Sequence, residues 1–459
     1  VKWGADMKTM LILLPDIREL IQAERNEELI DILDDLHPAD IAEIISELPE
    51  DEKIKLFKLV RREKAIEVFD ELDENDQILI LENLPVEDRS FLLNEMSPDE
   101  RADLFEELSV DKTQEYGALM TEEARREVEI LTSYPSETAG GLMTTEFASV
   151  MESMSVGEAI EFLRMTAPDK ETIYSIYVTS EKGVLVGVVQ LKDLILSDPK
   201  KRISDIMDEK VISVEVNADQ EEVASIMKKY NLTVIPVVDE YRKLLGIITI
   251  DDIIDVIHEE ASEDIAKMVG TQLEDIETLL SPLKSARLRM PWLILTYIGE
   301  IFVSFIVKHF EPTLQQVIAL ASYMPLIAAM GGNVGTQAST ICVRGLATGS
   351  IKMGDLKRVL VKETLAGSIM GFVYGLVLAL ITLLVYGLKY SFVLPMSAFV
   401  GCLASMTFSS VMGTIEPFVL IKLKRDPATA VGPLVTTGTD ILSSATYLTF
   451  ATLLLKLLS

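Results

Sequence analysis

The segment from Asp426 to Asp440, Asp-Pro-Ala-Thr-Ala-Val-Gly-Pro-Leu-Val-Thr-Thr-Gly-Thr-Asp, sets two carboxylates around a run of prolines, glycines and hydroxyls. It follows a basic cluster (Lys422, Lys424, Arg425) and enters an apolar tract ending at Ser459. Basic residues beside an apolar tract mark a membrane surface. Continued as helix, the path from Asp426 to Asp440 rises roughly 20 Å and carries Asp440 near the middle of a ~30 Å hydrocarbon core. A carboxylate there costs about 3 kcal/mol on insertion scales. Such a group serves an ion or proton path, or it ties one helix to another.

Two further stretches could take part. Met330-Gly-Gly-Asn-Val-Gly-Thr-Gln337 holds the amides Asn333 and Gln337 four apart, where their oxygens could face a hydrated ion. The same stretch holds Gly331 and Gly335, a spacing that by itself predicts close helix packing. Glu300 lies within another apolar tract and could line the same path or pair with a helix. Glu416 lies near Lys422 and reads as a side chain reaching the surface. Pro325 and Pro433 read as kinks whose freed carbonyls could line a cavity. No nucleophile–base pair, phosphate-binding loop or catalytic metal cluster is visible, so the chain reads as something other than an enzyme. Cys342 and Cys402 fall in apolar tracts and read as free thiols. His37, His258 and His309 show no metal-ligand spacing, and no secretory signal is visible.

Charge divides the chain. Residues 1–284 hold 29 Lys+Arg against 66 Asp+Glu, a net of −37; residues 285–459 hold 13 against 7, a net of +6. An acidic, soluble part therefore precedes an apolar one. That surface excludes nucleic acid and suits solvated cations.

Several elements must position these groups. Residues 1–133 carry apolar residues every twelve positions: Leu36, Leu48, Val60, Leu72, Leu84, Met96 and Leu108. Helix-start signals follow most of them, and Ser97-Pro98-Asp99-Glu100 reads as a capping box with proline at the first helical position. Helices of two to three turns must stack to bury a face, which predicts an all-α superhelical array. Residues 134–203 and 204–257 repeat one α/β unit of strand, helix, strand pair and helix. Gly187-Val-Val-Gln-Leu-Lys-Asp193 parallels Gly246-Ile-Ile-Thr-Ile-Asp-Asp252, and the pair resembles tandem CBS domains. That resemblance implies adenine-nucleotide binding through Thr249 and Asp252, with Gln190 standing in the first copy where the hydroxyl would be; it also implies a flat dimer. A hydroxyl and a carboxylate three apart are equally ordinary capping residues.

Residues 258–283 read as an acidic connecting helix, with several of Glu259, Glu260, Glu263 and Asp264 sharing a face. A cation between them would remove their repulsion; a solvated charged face is the plain alternative. Residues 284–459 hold five apolar tracts, each long enough to span a bilayer. Their basic loops place the N-terminal domains inside and the C-terminus outside. One net carboxylate among five spans favours a twofold assembly around Asp440.

The order of these parts, with the Gly331–Gln337 and Asp426–Asp440 motifs, resembles the bacterial MgtE magnesium channels. The resemblance implies a multidomain fold: superhelical N domain, CBS pair, connecting plug helix and five-helix transmembrane domain. It implies a homodimer in the inner membrane that takes up Mg²⁺ and is gated by intracellular Mg²⁺, with ATP as a further regulator. It makes Asp440 the principal pore ligand, puts Asp426 at the inner mouth, and maps regulatory carboxylates onto Asp252, Glu260, Glu263, Asp264, Asp219 and Glu221. Another divalent cation such as Co²⁺ or Mn²⁺, or cation-coupled export, is the alternative, because hard oxygen ligands suit all of these.

Overall fold

The twelve-residue beat is written in the helix starts. In the computed structural model, which describes residues 7–166, 170–272, 282–387, 392–430 and 432–458, successive helices begin at Pro38, Glu50, Arg62, Glu74, Val86, Pro98, Val110 and Glu122. The apolar residue before each start, from Leu36 to Leu108, is buried. Along the array most helices pack on their next-but-one neighbour, so each apolar pair (Ile44–Ile45, Leu56–Phe57, Val68–Phe69, Leu92–Leu93) closes one continuous core.

Each α/β copy is a three-stranded sheet. In the first, β1 (Phe147–Met151) runs parallel to β2 (Thr172–Thr179), which pairs antiparallel with β3 (Leu185–Gln190). In the second, β4 (Val214–Glu215), β5 (Val234–Val238) and β6 (Leu244–Thr249) repeat that order. A shared core of Tyr177, Leu185, Val238, Leu244 and Ile247 joins the copies. Ala102 and Leu131 of the helical array are buried in the second copy's core, so array and pair meet over an apolar contact.

One local reading changes. Ser97 precedes its helix without capping it; its hydroxyl donates to Asp70 Oδ2 at 3.2 Å instead. The helix Gln220–Tyr230 of the second copy is capped by Asp219, whose carboxylate accepts from the Glu221 N–H at 2.9 Å. In the first copy Ser155 and Glu158 form a capping box.

One helix, Ile250–Val269, continues from β6 through position 257. The C-terminal unit then holds long helices at Pro282–His309, Leu320–Ala347, Leu356–Tyr386, Val393–Lys422 and Pro433–Leu458. Among the described residues, three helical stretches are long and apolar enough to cross a membrane: Pro282–His309, Met353–Tyr386 and Val393–Lys422. Val393–Lys422 packs against Leu320–Ala347, Leu356–Tyr386 and Pro433–Leu458, whereas Pro282–His309 packs mainly on Pro433–Leu458. Pro433 opens its helix rather than kinking it, a position where its missing N–H costs nothing.

The glycines at 331 and 335 do packing work. A Cβ on Gly413 would lie 2.1 Å from the Gly335 carbonyl oxygen, so two helix backbones touch there. Gly413→Ala should destabilise the membrane unit by about 1–3 kcal/mol, the usual cost of over-packing. Thermal unfolding in detergent would show it as a lowered midpoint; an unchanged midpoint would refute the contact.

Candidate metal path and acidic regulatory sites

Asp440 lies about two turns into its helix, roughly 10 Å along the axis from Pro433. The sequence reading had doubled that distance by carrying helix back to Asp426; Pro427–Ala430 is instead a 3-10 turn. Asp440 is half-exposed, and its carboxyl group is hydrogen-bonded to that of Glu300 on Pro282–His309. The two helices come together there because Gly299 lacks a side chain: a Cβ would sit 1.8 Å from Thr437 Cγ2. Asn333 and Gln337 are exposed on one face of Leu320–Ala347, while Gly331, Gly332 and Gly335 face its packed neighbours. A Cβ on Gly332 would lie 3.8 Å from Thr439 Oγ1, so the chain segments carrying Asn333 and Asp440 run side by side. Glu416 does not reach the surface: its Oε2 is enclosed without a hydrogen-bond partner among the described residues, near Gly438.

Before the Asp440 helix, Asp426 Oδ1 accepts from the Ala428 N–H at 2.8 Å, and Oδ2 is 2.7 Å from Lys267 Nζ. Lys267 also pairs with Glu263 one turn earlier on its helix. Asp264, half-buried, lies within electrostatic reach of Asp426, Glu260 and Glu263; burial first, then those charges, raise its pKa against the pull of Lys267. The helix Ile250–Val269 thus brings Glu260, Glu263 and Asp264 to Asp426.

Asp252 lies elsewhere. It caps its helix by accepting from the Thr249 hydroxyl at 2.6 Å and the Thr249 N–H at 3.3 Å. Around it gather Asp99, Glu100 and Glu171, with Asp70, Asp103 and Asp251 also within electrostatic reach of the group. Burial, reinforced by these like charges, pushes Asp99 up to about 8 and Glu100 up to about 9. Burial likewise raises Asp70 to about 6, although the Ser97 hydroxyl and Arg101 oppose it. Asp99 Oδ1 and Asp70 Oδ1 are enclosed with no hydrogen-bond partner among the described residues. Buried carboxylates in that state call for a cation or a proton. Among the described residues, no three carboxylate, imidazole or thiolate groups converge closely enough to hold a metal directly. Asp219 and Glu221 are exposed at the start of another helix, with Asp219 engaged in its cap.

Residues 324–450 match a family described as a divalent cation transporter, residues 36–137 match an MgtE intracellular N domain, and residues 139–199 and 203–259 match CBS domains. The chain is 41% identical over 339 residues to the magnesium transporter MgtE of Thermus thermophilus, covering 74% of each chain. The chain belongs to the MgtE family of magnesium transporters. It is 37% identical to the Enterococcus faecalis magnesium transporter MgtE, over 73% of each chain. The helical array and CBS pair are similar, at 40% identity and a TM-score of 0.51, to a crystal structure of the cytosolic domain of the Mg²⁺ channel MgtE in complex with ATP, over 53% of this chain and all of that one. The family makes this a multi-pass membrane protein with cytoplasmic N-terminal domains, a transporter rather than an enzyme.

Sequence reasoning missed Asp70, Asp99, Glu100 and Glu171. The one available signal was Ser97-Pro98-Asp99-Glu100, a motif that reads as a cap and whose acidic residues instead turn inward toward Asp252.

Proposed function

We propose that the chain works as a Mg²⁺-selective channel for magnesium uptake, built as a homodimer with five membrane spans per chain. Asp440 of each copy is the principal pore ligand for the hydrated ion, Asn333 adds an amide oxygen beside it, and Asp426 marks the inner mouth. The N-terminal domains lie in the cytoplasm and the C-terminus outside the inner membrane. The observation that carries this reading is the Asp440 carboxylate two turns into its helix, paired with another acid rather than an arginine, with Asn333 exposed on the helix that runs beside it. Two such carboxylates about an axis attract a water-clad divalent ion while binding weakly enough for release.

Gating follows from the carboxylates around Asp99 and Asp252 and around Asp264 and Asp426. Intracellular Mg²⁺ bridges them, favours the compact arrangement and closes the pore; when Mg²⁺ falls, they repel. The ion shifts the equilibrium only by its preference for the closed form. ATP is a further regulator at Thr249 and Asp252, a reading supported by likeness to the ATP-bound relative.

The test is ion flux into proteoliposomes, with Mg²⁺, Co²⁺ and Mn²⁺ compared and a proton gradient imposed or absent. Saturable Mg²⁺ flux that ignores the proton gradient is expected. Flux that follows the gradient would favour a coupled exporter.

A further inference from the structure

The contact between Lys267 and Asp426 does more than close a gap between two elements. Both Asp426 carboxylate oxygens are committed: Oδ1 to the Ala428 N–H at 2.8 Å and Oδ2 to Lys267 Nζ at 2.7 Å. No divalent ion can reach Oδ2 unless the ammonium leaves it. The backbone reinforces the seat. A Cβ on Gly432 would lie 2.9 Å from the Met268 carbonyl oxygen, so the last turn of the helix Ile250–Val269 lies directly on the chain entering the Asp440 helix. Met268 packs on buried Val343 and Ala428. Four carboxylates face this seat, Glu260, Glu263, Asp264 and Asp426, against the ammonium of Lys267.

We infer that Lys267 is a tethered cation of the gate, a positioning residue that occupies the divalent-ion position on Asp426 and holds the connector against the inner mouth when no metal is bound. The inference rests on reading Asp426 as that mouth. It adds that closure does not wait for Mg²⁺ alone: the chain supplies one positive charge itself, and an ion must compete with it. Lysine suits the task, being a compact point charge on a flexible stem.

The experiment uses the full chain in proteoliposomes, with Mg²⁺ flux measured as free Mg²⁺ on the cytoplasmic side is raised from nominally zero. Lys267→Met should raise flux in the metal-free condition about fivefold, or roughly 1 kcal/mol, the upper range for a partly exposed ion pair. Saturating Mg²⁺ should still close it, because the released carboxylates can then take the ion, and the closing curve should steepen. Lys267→Arg should behave as wild type, which a generic packing role for lysine would not ensure. Wild-type flux at low Mg²⁺ in Lys267→Met, or a Lys267→Arg variant with the raised flux expected of Lys267→Met, would overturn the inference. A second readout does not depend on any variant folding. Zero-length carbodiimide coupling of the wild-type protein in metal-free buffer should yield a Lys267–Asp426 isopeptide by mass spectrometry, and its absence would also overturn the inference. Failure of the channel reading would look different: no Mg²⁺ flux in wild type at any internal Mg²⁺, with the isopeptide still formed.

Discussion

Asp440→Asn should reduce Mg²⁺ flux into proteoliposomes to the level of empty vesicles. Asparagine keeps the side chain's volume and its ability to hydrogen-bond, so the helix and its contact at Gly299 and Thr437 survive. What goes is the charge that the channel reading assigns to holding a divalent ion, and in a twofold assembly it goes twice. Loss of groups that merely orient a metal's ligands already costs 10–100-fold, so losing the ligand charge should cost about a hundredfold or more. Glu300→Gln should cost less, since the carboxylate of Asp440 remains and keeps a hydrogen-bonding partner. Substantial Mg²⁺ flux through Asp440→Asn, with the protein inserted and monodisperse, would end the permeation reading.

Asp99→Asn is expected to uncouple the cytosolic domains from Mg²⁺. Separating the helical array from the CBS pair would return the buried acids toward their ordinary values, 3.8 for aspartate and 4.5 for glutamate. The compact form holds Asp70 near 6, Asp99 near 8 and Glu100 near 9, so it binds more protons than the separated form. Its stability is therefore greatest in acid and falls as pH rises from about 4 toward 9. At neutral pH, metal-free buffer leaves that penalty in place, and Mg²⁺ relieves it. The amide removes one enclosed charge, and compactness without metal should gain roughly 2 kcal/mol. Limited proteolysis between 132 and 146 reads this directly. Wild type should be cut readily at pH 7.5 without Mg²⁺, and resist cutting with Mg²⁺ or at pH 5. Asp99→Asn should resist in all three conditions. Equal cleavage of wild type with and without Mg²⁺ would defeat the feedback mechanism.

The sequence shows most plainly what depends on neighbours along the chain. The twelve-residue spacing becomes a helix start every twelve residues because each short helix buries the same pair of positions. The duplicated α/β unit is readable because two copies of one pattern verify each other. The acid cluster is not readable, since Asp70, Asp99, Glu171 and Asp252 come from distant segments and meet only after packing. Ser97-Pro98-Asp99-Glu100 even misleads: a local cap competes with the demand of buried Asp70 for a donor, and the tertiary demand wins. The Lys267–Asp426 pair hides for the same reason, as neither residue's neighbourhood names the other. Asp440 and Asn333 could be singled out from their apolar surroundings, whereas the Glu300 partnership needed the close approach at Gly299.

Where Gly335 and Gly413 bring two backbones together, no side chain stands between them to be compressed or swung aside. That crossing behaves as a weld. Leu320–Ala347 and Val393–Lys422 must travel as one body, and any widening of the conduit has to be found at softer seams. The loosest of these belongs to Pro282–His309, whose principal support is a single neighbouring helix and whose membrane-length stretch leaves almost all of its surface uncovered within one chain.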